Sequence, residues 1–325
     1  MPDLPFLDSF DHYLTADSVQ KWGTGVNIGA GTGRRGTAGA VVDGNGISKT
    51  FNGEYGTLYV GGAFKNPGNS PLRLTNALSG IELAMHCVGD GRFVVAGHDP
   101  TDPSWFPVWP FTGVTPPILS DRWYYLEMKA TVTPSSYSVI LRINEEVVLT
   151  ETHTLVGTLH SHAAWATFNI QGRGGGVATN VDDVYVDATA FFGDVNIDVI
   201  RPDGPDTSMW IPSPAGANWQ NVNDTTPDGD TSVVSSTTVG DLDLYSMEDI
   251  TPGLTVKAIQ GIASVKKDTA GLAALKLQYG SGGGVLSSDE FFPSEATYIM
   301  LRDGRKDILN SGLINALVFG QIRTQ

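Results

Sequence analysis

Several groups of residues have the types and spacing that chemistry requires. Asp182-Asp183 and Glu145-Glu146 are paired carboxylates, and glycoside hydrolysis needs two carboxyls held roughly 5–10 Å apart across a cleft. Gly31-Thr32-Gly33-Arg34-Arg35-Gly36 fits the G-x-G-x-x-G pattern of a dinucleotide loop. That loop works only between a buried strand and an unbroken helix. Here Thr37 to Val42 continue as another strand, so the pattern reads as a surface loop. His160-Ser161-His162 is a two-ligand metal clip with His153 upstream; with no third ligand beside them, a solvated loop is the simpler reading. Asn223 to Asp230, NDTTPDGD, is as oxygen-rich as a calcium loop but lacks the EF-hand spacing. Asx residues also cap turns with no ion present. Cys87 stands alone in an apolar run, where it reads as a small buried hydrophobe and excludes an internal disulfide. No residue is therefore assigned to catalysis, and no cofactor or metal is expected.

Aromatic residues point to contacts instead. Pro103 to Phe111, PSWFPVWPF, sets Trp105, Phe106, Trp109 and Phe111 among three prolines, which forbids a central strand. Exposed aromatic clusters of this kind anchor interfaces, and a subunit contact is preferred here over stacking on a sugar ring. Trp210 and Trp219 stand singly in the loop-rich stretch 191–249 and join the same candidate interface set.

The elements that must position these residues are short strands. Between residues 5 and 190 they read as Phe6–Phe10, Gly39–Val42, Ser48–Phe51, Thr57–Phe64, Leu72–Leu74, Gly80–Val88, Arg92–Ala96, Trp123–Thr133, Tyr137–Ile143, Glu146–His153, Ala164–Ile170 and Asp182–Asp187. Asp43–Gly46, Asn144-Glu145 and Gly89–Gly91 read as tight hairpin turns. In Trp123–Thr133 the face of Tyr124, Leu126, Met128, Ala130 and Val132 is the one to bury. Strands at this spacing argue for a two-sheet antiparallel sandwich. A fresh alternating run, Val195–Ile200, opens a second domain with strands at Ser232–Thr238, Asp241–Met247, Leu254–Val265, Ala273–Tyr279 and Thr297–Met300. Ser311–Ile322 reads as a helical turn into a last strand.

Composition sets the bounds. A chain of 325 residues suits two domains. Hydrophobic content of 41% builds real cores, while 39 Gly and 18 Pro favour turn-rich β structure over helices. The net charge of −15 is shared by both halves, which leaves no basic patch for nucleic acid. The N-terminal MPDLPFLDSFDHYL has neither a basic start nor an apolar run, so no secretory signal is read there. No window reaches the roughly eighteen apolar residues of a membrane span, so no membrane insertion is expected.

Two resemblances add to this reading. FLDSFDHY, RWYYLEMKATV, YSVILRINEEVVL and NVDDVYV, in that order, resemble the concanavalin A-like, laminin-G-like jelly roll over about 180 residues. The resemblance implies that the last of these strands pairs with the first. Glucanases of that fold carry an E-x-D-x-x-E strand; nothing in this chain matches it, and Glu82 has no such partners. The second stretch, from GDVNIDVIRPDG through WIPSPAGANWQNV to DGDTSVVSS, resembles a module of tailed-bacteriophage virion proteins that follows a lectin-like domain. The closing NALVFGQI is similar to the end of the same module, without its usual Trp.

The chain is thus expected to be all-β, with two antiparallel β-sandwich (jelly-roll) domains at 1–190 and 191–325. The resemblance implies a non-enzymatic structural protein located in a phage virion and assembled in the bacterial host cytoplasm. Its partners would be other virion proteins, further copies of itself as a homo-oligomer, and a host-surface glycan. A tail- or head-attached fibre, spike or decoration component fits best. The rival is a carbohydrate-active enzyme with a lectin-like catalytic domain, which a cleft holding two carboxylates would support and an all-apolar concave face would sink. A plain glycan-binding module is the third reading.

Overall fold

The computed structural model describes residues 4–23, 26–76, 82–88, 91–98, 113–154, 164–173, 177–267, 271–281, 284–293, 297–305 and 317–325. The chain is all-β and antiparallel, and it forms two compact units. The N-terminal unit is Phe6–Ile197; the C-terminal unit is Asp198–Gln325 together with Met1–Pro5. The units part after Ile197, where the sequence suggested residue 190.

The N-terminal unit contains β1 (Phe6–Asp8), β2 (Asn27–Gly29), β3 (Gly39–Val42), β4 (Ile47–Tyr55), β5 (Thr57–Lys65), β6 (Ser70–Thr75) and β7 (Glu82–Val88). It continues with β8 (Arg92–His98), β9 (Trp123–Thr133), β10 (Ser136–Ile143), β11 (Glu146–Thr154), β12 (Trp165–Gln171) and β13 (Thr179–Asp187). The large sheet runs β11-β10-β9-β5-β13-β3-β2, with β1 also on β13; the small sheet runs β4-β12-β6-β7-β8. Phe6 lies opposite Val186 and Asp8 opposite Val184, so first and last strands pair as expected. Asn144 and Glu145, both at positive φ, make the hairpin of β10 and β11. The Asp43–Gly46 turn is not a hairpin: β3 pairs with β2 and β13 while β4 pairs with β12, so the turn carries the chain from one sheet to the other.

The two sheets meet through aromatic contacts. Phe6 on β1 is edge-on to Phe51 on β4 at 6.4 Å, and Tyr137 on β10 lies 6.1 Å from Trp165 on β12. The indole N–H of Trp165 donates to the carbonyl of Ala130 across the core, 3.1 Å away. Leu126, Met128, Ala130 and Val132 are buried there, as the alternation of β9 requires. Tyr124 is only half-buried, and Cys87 is half-buried rather than enclosed.

One end of this core holds a buried ion pair. The one-turn helix α1 (Ser18–Trp22) brings Lys21 Nζ to 3.2 Å from Asp8 Oδ1, both fully buried. Asp8 also accepts from Tyr13, Trp22 and the Phe10 amide, and Lys21 Nζ sits 2.8 Å from His12 Nε2. Burial and the adjacent Lys21 charge pull the His12 pKa down to about 3, so the ring is neutral. Burial raises the Asp8 carboxyl, but the Lys21 charge and the hydrogen bonds from Tyr13 and the Phe10 amide outweigh it and hold the group below its usual range.

The C-terminal unit contains β14 (Pro202–Ser208), β15 (Ile211–Ser213), β16 (Val233–Ser235), β17 (Leu242–Met247) and β18 (Ile259–Val265). Then come β19 (Leu275–Ser281), β20 (Gly284–Ser287), β21 (Ile299–Arg305) and β22 (Val318–Arg323). A five-stranded sheet, β14-β17-β22-β19-β20, packs against the β18–β21 ribbon around Leu277, Tyr279, Phe291, Leu301 and Leu317. The second sandwich is therefore present, with β16, β17 and β18 shorter than the alternation suggested and β21 longer. Two elements differ in kind. Pro202–Ser208 is a strand despite its two prolines, because it lies at a sheet edge and bulges twice. Val195–Ile200 is no strand: it has alternation but no partner.

Candidate functional site

The N-terminal unit has two outward faces, and the chain treats them differently. On the large sheet the outward residues of β9 and β13, Tyr125, Glu127 and Tyr185, are fully buried although they point away from the core. The cover is the segment that leaves β13, residues 188–197, which lies across the sheet as a strap. Asp187 starts it by accepting from the Thr189 and Ala190 amides. Phe192 then stacks on Tyr185 at 4.5 Å, and Phe191 is edge-on to Tyr59 at 5.0 Å with the Arg142 guanidinium 4.7 Å from its ring. A Cβ at Gly61 would fall 2.5 Å from Tyr185 Cε1, so the glycine lets that ring lie flat on β5.

Carboxylates fix the strap's backbone. Glu127 Oε1 accepts from Tyr185 Oη at 2.5 Å and from the Gly193 amide at 2.9 Å. Arg142 Nη1 stands 3.0 Å from Glu127 Oε2 as an ion pair without hydrogen-bond alignment. Asp183, at positive φ in a bulge of β13, accepts from the Ile197 amide at 2.8 Å and from Arg35 at 2.9 Å. Asp182 accepts from the amides of Arg34 and Asp183. Arg34 in turn grips Asp194 with both nitrogens, and Arg35 reaches Asn196. The G-x-G-x-x-G loop is thus a clasp for the strap. Burial pushes Asp182 up to about 7, with the neighbouring Asp183 charge adding to it, and burial raises Asp183 and Glu127 as well. Of the pairs that suggested hydrolysis, Asp182-Asp183 serves this clasp, and Glu145 Oε1 accepts from the Asp194 amide.

The outward face of the small sheet has no such cover among the described residues. Register places Thr50, Thr167, Thr75 and Glu82 in one row, and Ser48, Asn169, Arg73 and Ala84 in the next. Opposed residues share a face, so hydroxyls, a carboxamide and one ion pair make a polar grid. Thr50 meets Thr167 at 3.2 Å, Asn169 Nδ2 donates to Thr75 Oγ1 at 3.1 Å, and Arg73 Nη1 lies 3.4 Å from Glu82 Oε2. A hollow in this face is lined by Asn45, Ser48, Arg73, Asn169 and Gln171. Asn45, Ser48, Arg73, Asn169 and Gln171 were not singled out in the sequence. Their signal is the polar half of each strand's alternation, legible only once strands far apart in the chain are paired.

The aromatic candidates divide. Trp105, Phe106, Trp109 and Phe111 lie outside the described residues, as do His160 and His162. Trp210 is half-buried and its indole N–H donates to the Asp241 carbonyl at 3.1 Å. Its backbone is held by Asp243, fully buried, which accepts from the amides of Met209 and Trp210, from Asn218 and from Tyr245. Trp219 is half-buried in the 3-10 turn at Asn218–Asn221. In the Asn223–Asp230 loop, Asp224 and Asp228 accept from Ser232, while Asp230 accepts from Lys266 and Tyr298. Among the described residues no three His, Cys, Asp or Glu gather as metal ligands. No helix among them is long and apolar enough to cross a membrane.

Fold and faces define a class: an all-β protein of antiparallel sandwiches with one strapped and one open polar face. No protein-family profile matches the sequence, and no curated protein matches it. Among solved structures, the chain is similar to alginate lyase Aly36B, at 12% identity over 57% of this chain and 98% of that one, with a TM-score of 0.41. It is similar to the carbohydrate recognition domain of Emp46p in its potassium-bound form, at 10% identity over 56% and 96%, TM-score 0.36. It is also similar to the carbohydrate-binding module CBM66 from Bacillus subtilis, at 8% identity over 46% and 86%, TM-score 0.28. At such scores these likenesses carry no argument, and the fold stands on its own strand pairing.

Proposed function

We propose that this chain is a non-enzymatic structural protein of a tailed-phage virion, a homo-oligomeric fibre, spike or decoration component that adheres to a host-surface glycan. The open polar face of the small sheet carries the adhesive half of this reading. Sugars are recognised by hydroxyl, carboxamide and charged groups fixed on a rigid scaffold, and β4, β12, β6 and β7 supply such a grid. The virion half rests on the resemblance of the GDVNIDVIRPDG, WIPSPAGANWQNV and DGDTSVVSS segments to the phage module. The paired acids favour structure over catalysis, because Asp182, Asp183 and Glu145 already hold backbone amides.

A glycan array of bacterial surface saccharides, probed with the full chain, tests adhesion; sedimentation tests the homo-oligomer, and antibody labelling of intact particles tests virion location. Capture of a saccharide with no shortening on prolonged incubation is expected. Cleavage of the captured saccharide replaces this reading with the carbohydrate-active enzyme. A monomer that labels no particle removes the virion role.

A further inference from the structure

Arg73 and Glu82 are the charged pair of the open face, and both are incompletely bonded. Each side chain is about a third exposed, and Nη1 to Oε2 is a long 3.4 Å. Among the described residues no acceptor meets Arg73 Nε, which is itself shielded from solvent. Nη1 to Oε2 is the sole hydrogen bond of either side chain there, leaving Arg73 Nη2 and Glu82 Oε1 unused. A free guanidinium nitrogen, Nη2, thus accompanies an unused carboxylate oxygen, a donor with an acceptor, and Arg73 lies in the wall of a hollow lined by carboxamides.

We infer that the Arg73–Glu82 pair, with Arg73 in the wall of this hollow and Glu82 beside it, binds a neutral sugar through two neighbouring hydroxyls. One oxygen accepts from Nη2 of Arg73, and the neighbouring hydroxyl donates to Glu82 Oε1. A diol both accepts and donates, which matches this pair; a carboxylate only accepts and would face Glu82. Charge agrees: the pair is neutral as a unit, and a chain of net charge −15 repels acidic saccharides at long range. Asn169 stands beside Arg73 in register, and Gln171 is tied to the Gly44 carbonyl, so the wall of the hollow is preformed.

This inference rests on the glycan-adhesion reading, and the test separates the two. Neutral and uronate-bearing saccharides are arrayed against the full chain, and the strongest neutral binder is titrated by calorimetry into wild type, Arg73→Lys and Glu82→Gln. Neutral binders are expected to dominate. Arg73→Lys keeps the charge but withdraws the Nη2 donor, and should weaken binding about tenfold. Glu82→Gln should weaken it about threefold or more. Affinity should change less than about twofold between roughly 0.05 and 0.5 M salt. Unfolding curves matching wild type show that both variants fold. Preference for uronates, or wild-type affinity in both variants, overturns this site while leaving adhesion intact. No saccharide captured at all overturns both.

Discussion

The two outward faces of the N-terminal unit follow the same alternation, yet one is interior and the other is surface. Glu127, Tyr125 and Tyr185 on the large sheet are wholly enclosed, whereas Thr50, Thr167, Asn169 and Arg73 on the small sheet remain accessible. The difference is the strap at 188–197. A strand's pattern decides which side chains leave the core; what lies over them is decided by chain from elsewhere. Polar groups under a cover are costly unless paired, and on the strapped face Tyr125, Tyr185 and Asp183 are hydrogen-bonded while Glu127 Oε2 is met by the Arg142 charge. Polar groups in the open keep unused capacity, and Arg73 with Glu82 does.

The sharpest way to break this contrast is to remove the strap's anchor. Glu127→Ala leaves Tyr185 Oη and the Gly193 amide without their acceptor and Arg142 without its counter-ion, and should cost about 3–5 kcal/mol. Urea unfolding measures the loss, and new protease cleavage inside 188–197 locates it. A stability loss below about 1 kcal/mol would mean the strap is incidental.

Acid titration separates the clasp from the core. Asp182 titrates near 7 when folded against roughly 3.9 unfolded, so the native state holds the extra proton between those values. Its contribution therefore rises as pH falls from 7 to 4, by at most about 1.4 kcal/mol per unit. His12, at about 3 folded against 6.5 unfolded, acts in the opposite sense and loses stability over 6.5 to 3. The two offset one another in wild type. Asp182→Asn should expose the His12 slope, with stability falling steadily as pH drops below 6.5. Parallel pH profiles for variant and wild type would contradict the raised Asp182 pKa.

Gly193 is a narrower probe. Its φ is +81, and a Cβ there would overlap Glu145 Oε1. Gly193→Ala should cost about 1–2 kcal/mol from the backbone alone, measured as a lower melting temperature. On the open face Arg73→Ala should change stability by no more than about 0.5 kcal/mol, while removing saccharide capture. A large stability loss there would make Arg73 a structural residue like Glu127.

Much of the strapped sandwich is legible in the sequence. Trp123–Thr133 and Gly39–Val42 are bounded as the alternation indicates, and the pairing of Phe6–Asp8 with Val184–Val186 follows the implied order of strands. The strap was not legible, because Val195–Ile200 alternates like a strand and only the lack of a neighbour shows otherwise. Nor was the open grid, since Arg73 sits inside the apolar run Leu72–Leu74 and gains meaning only opposite Asn169, far along the chain. In Pro202–Ser208 the prolines argued against a strand, and edge position overrode them.

That edge strand has one further consequence. Pro202 and Pro205 bring no N–H, Asp203 and Asp206 bring charge, and two bulges break the ladder's rhythm. A neighbouring copy that tried to add its own strand here would find missing donors and mutual repulsion. At the β14 border the sequence itself opposes growth of the C-terminal unit's sheet, so copies crowded together at high local concentration are hindered from zipping into a fibril from that side.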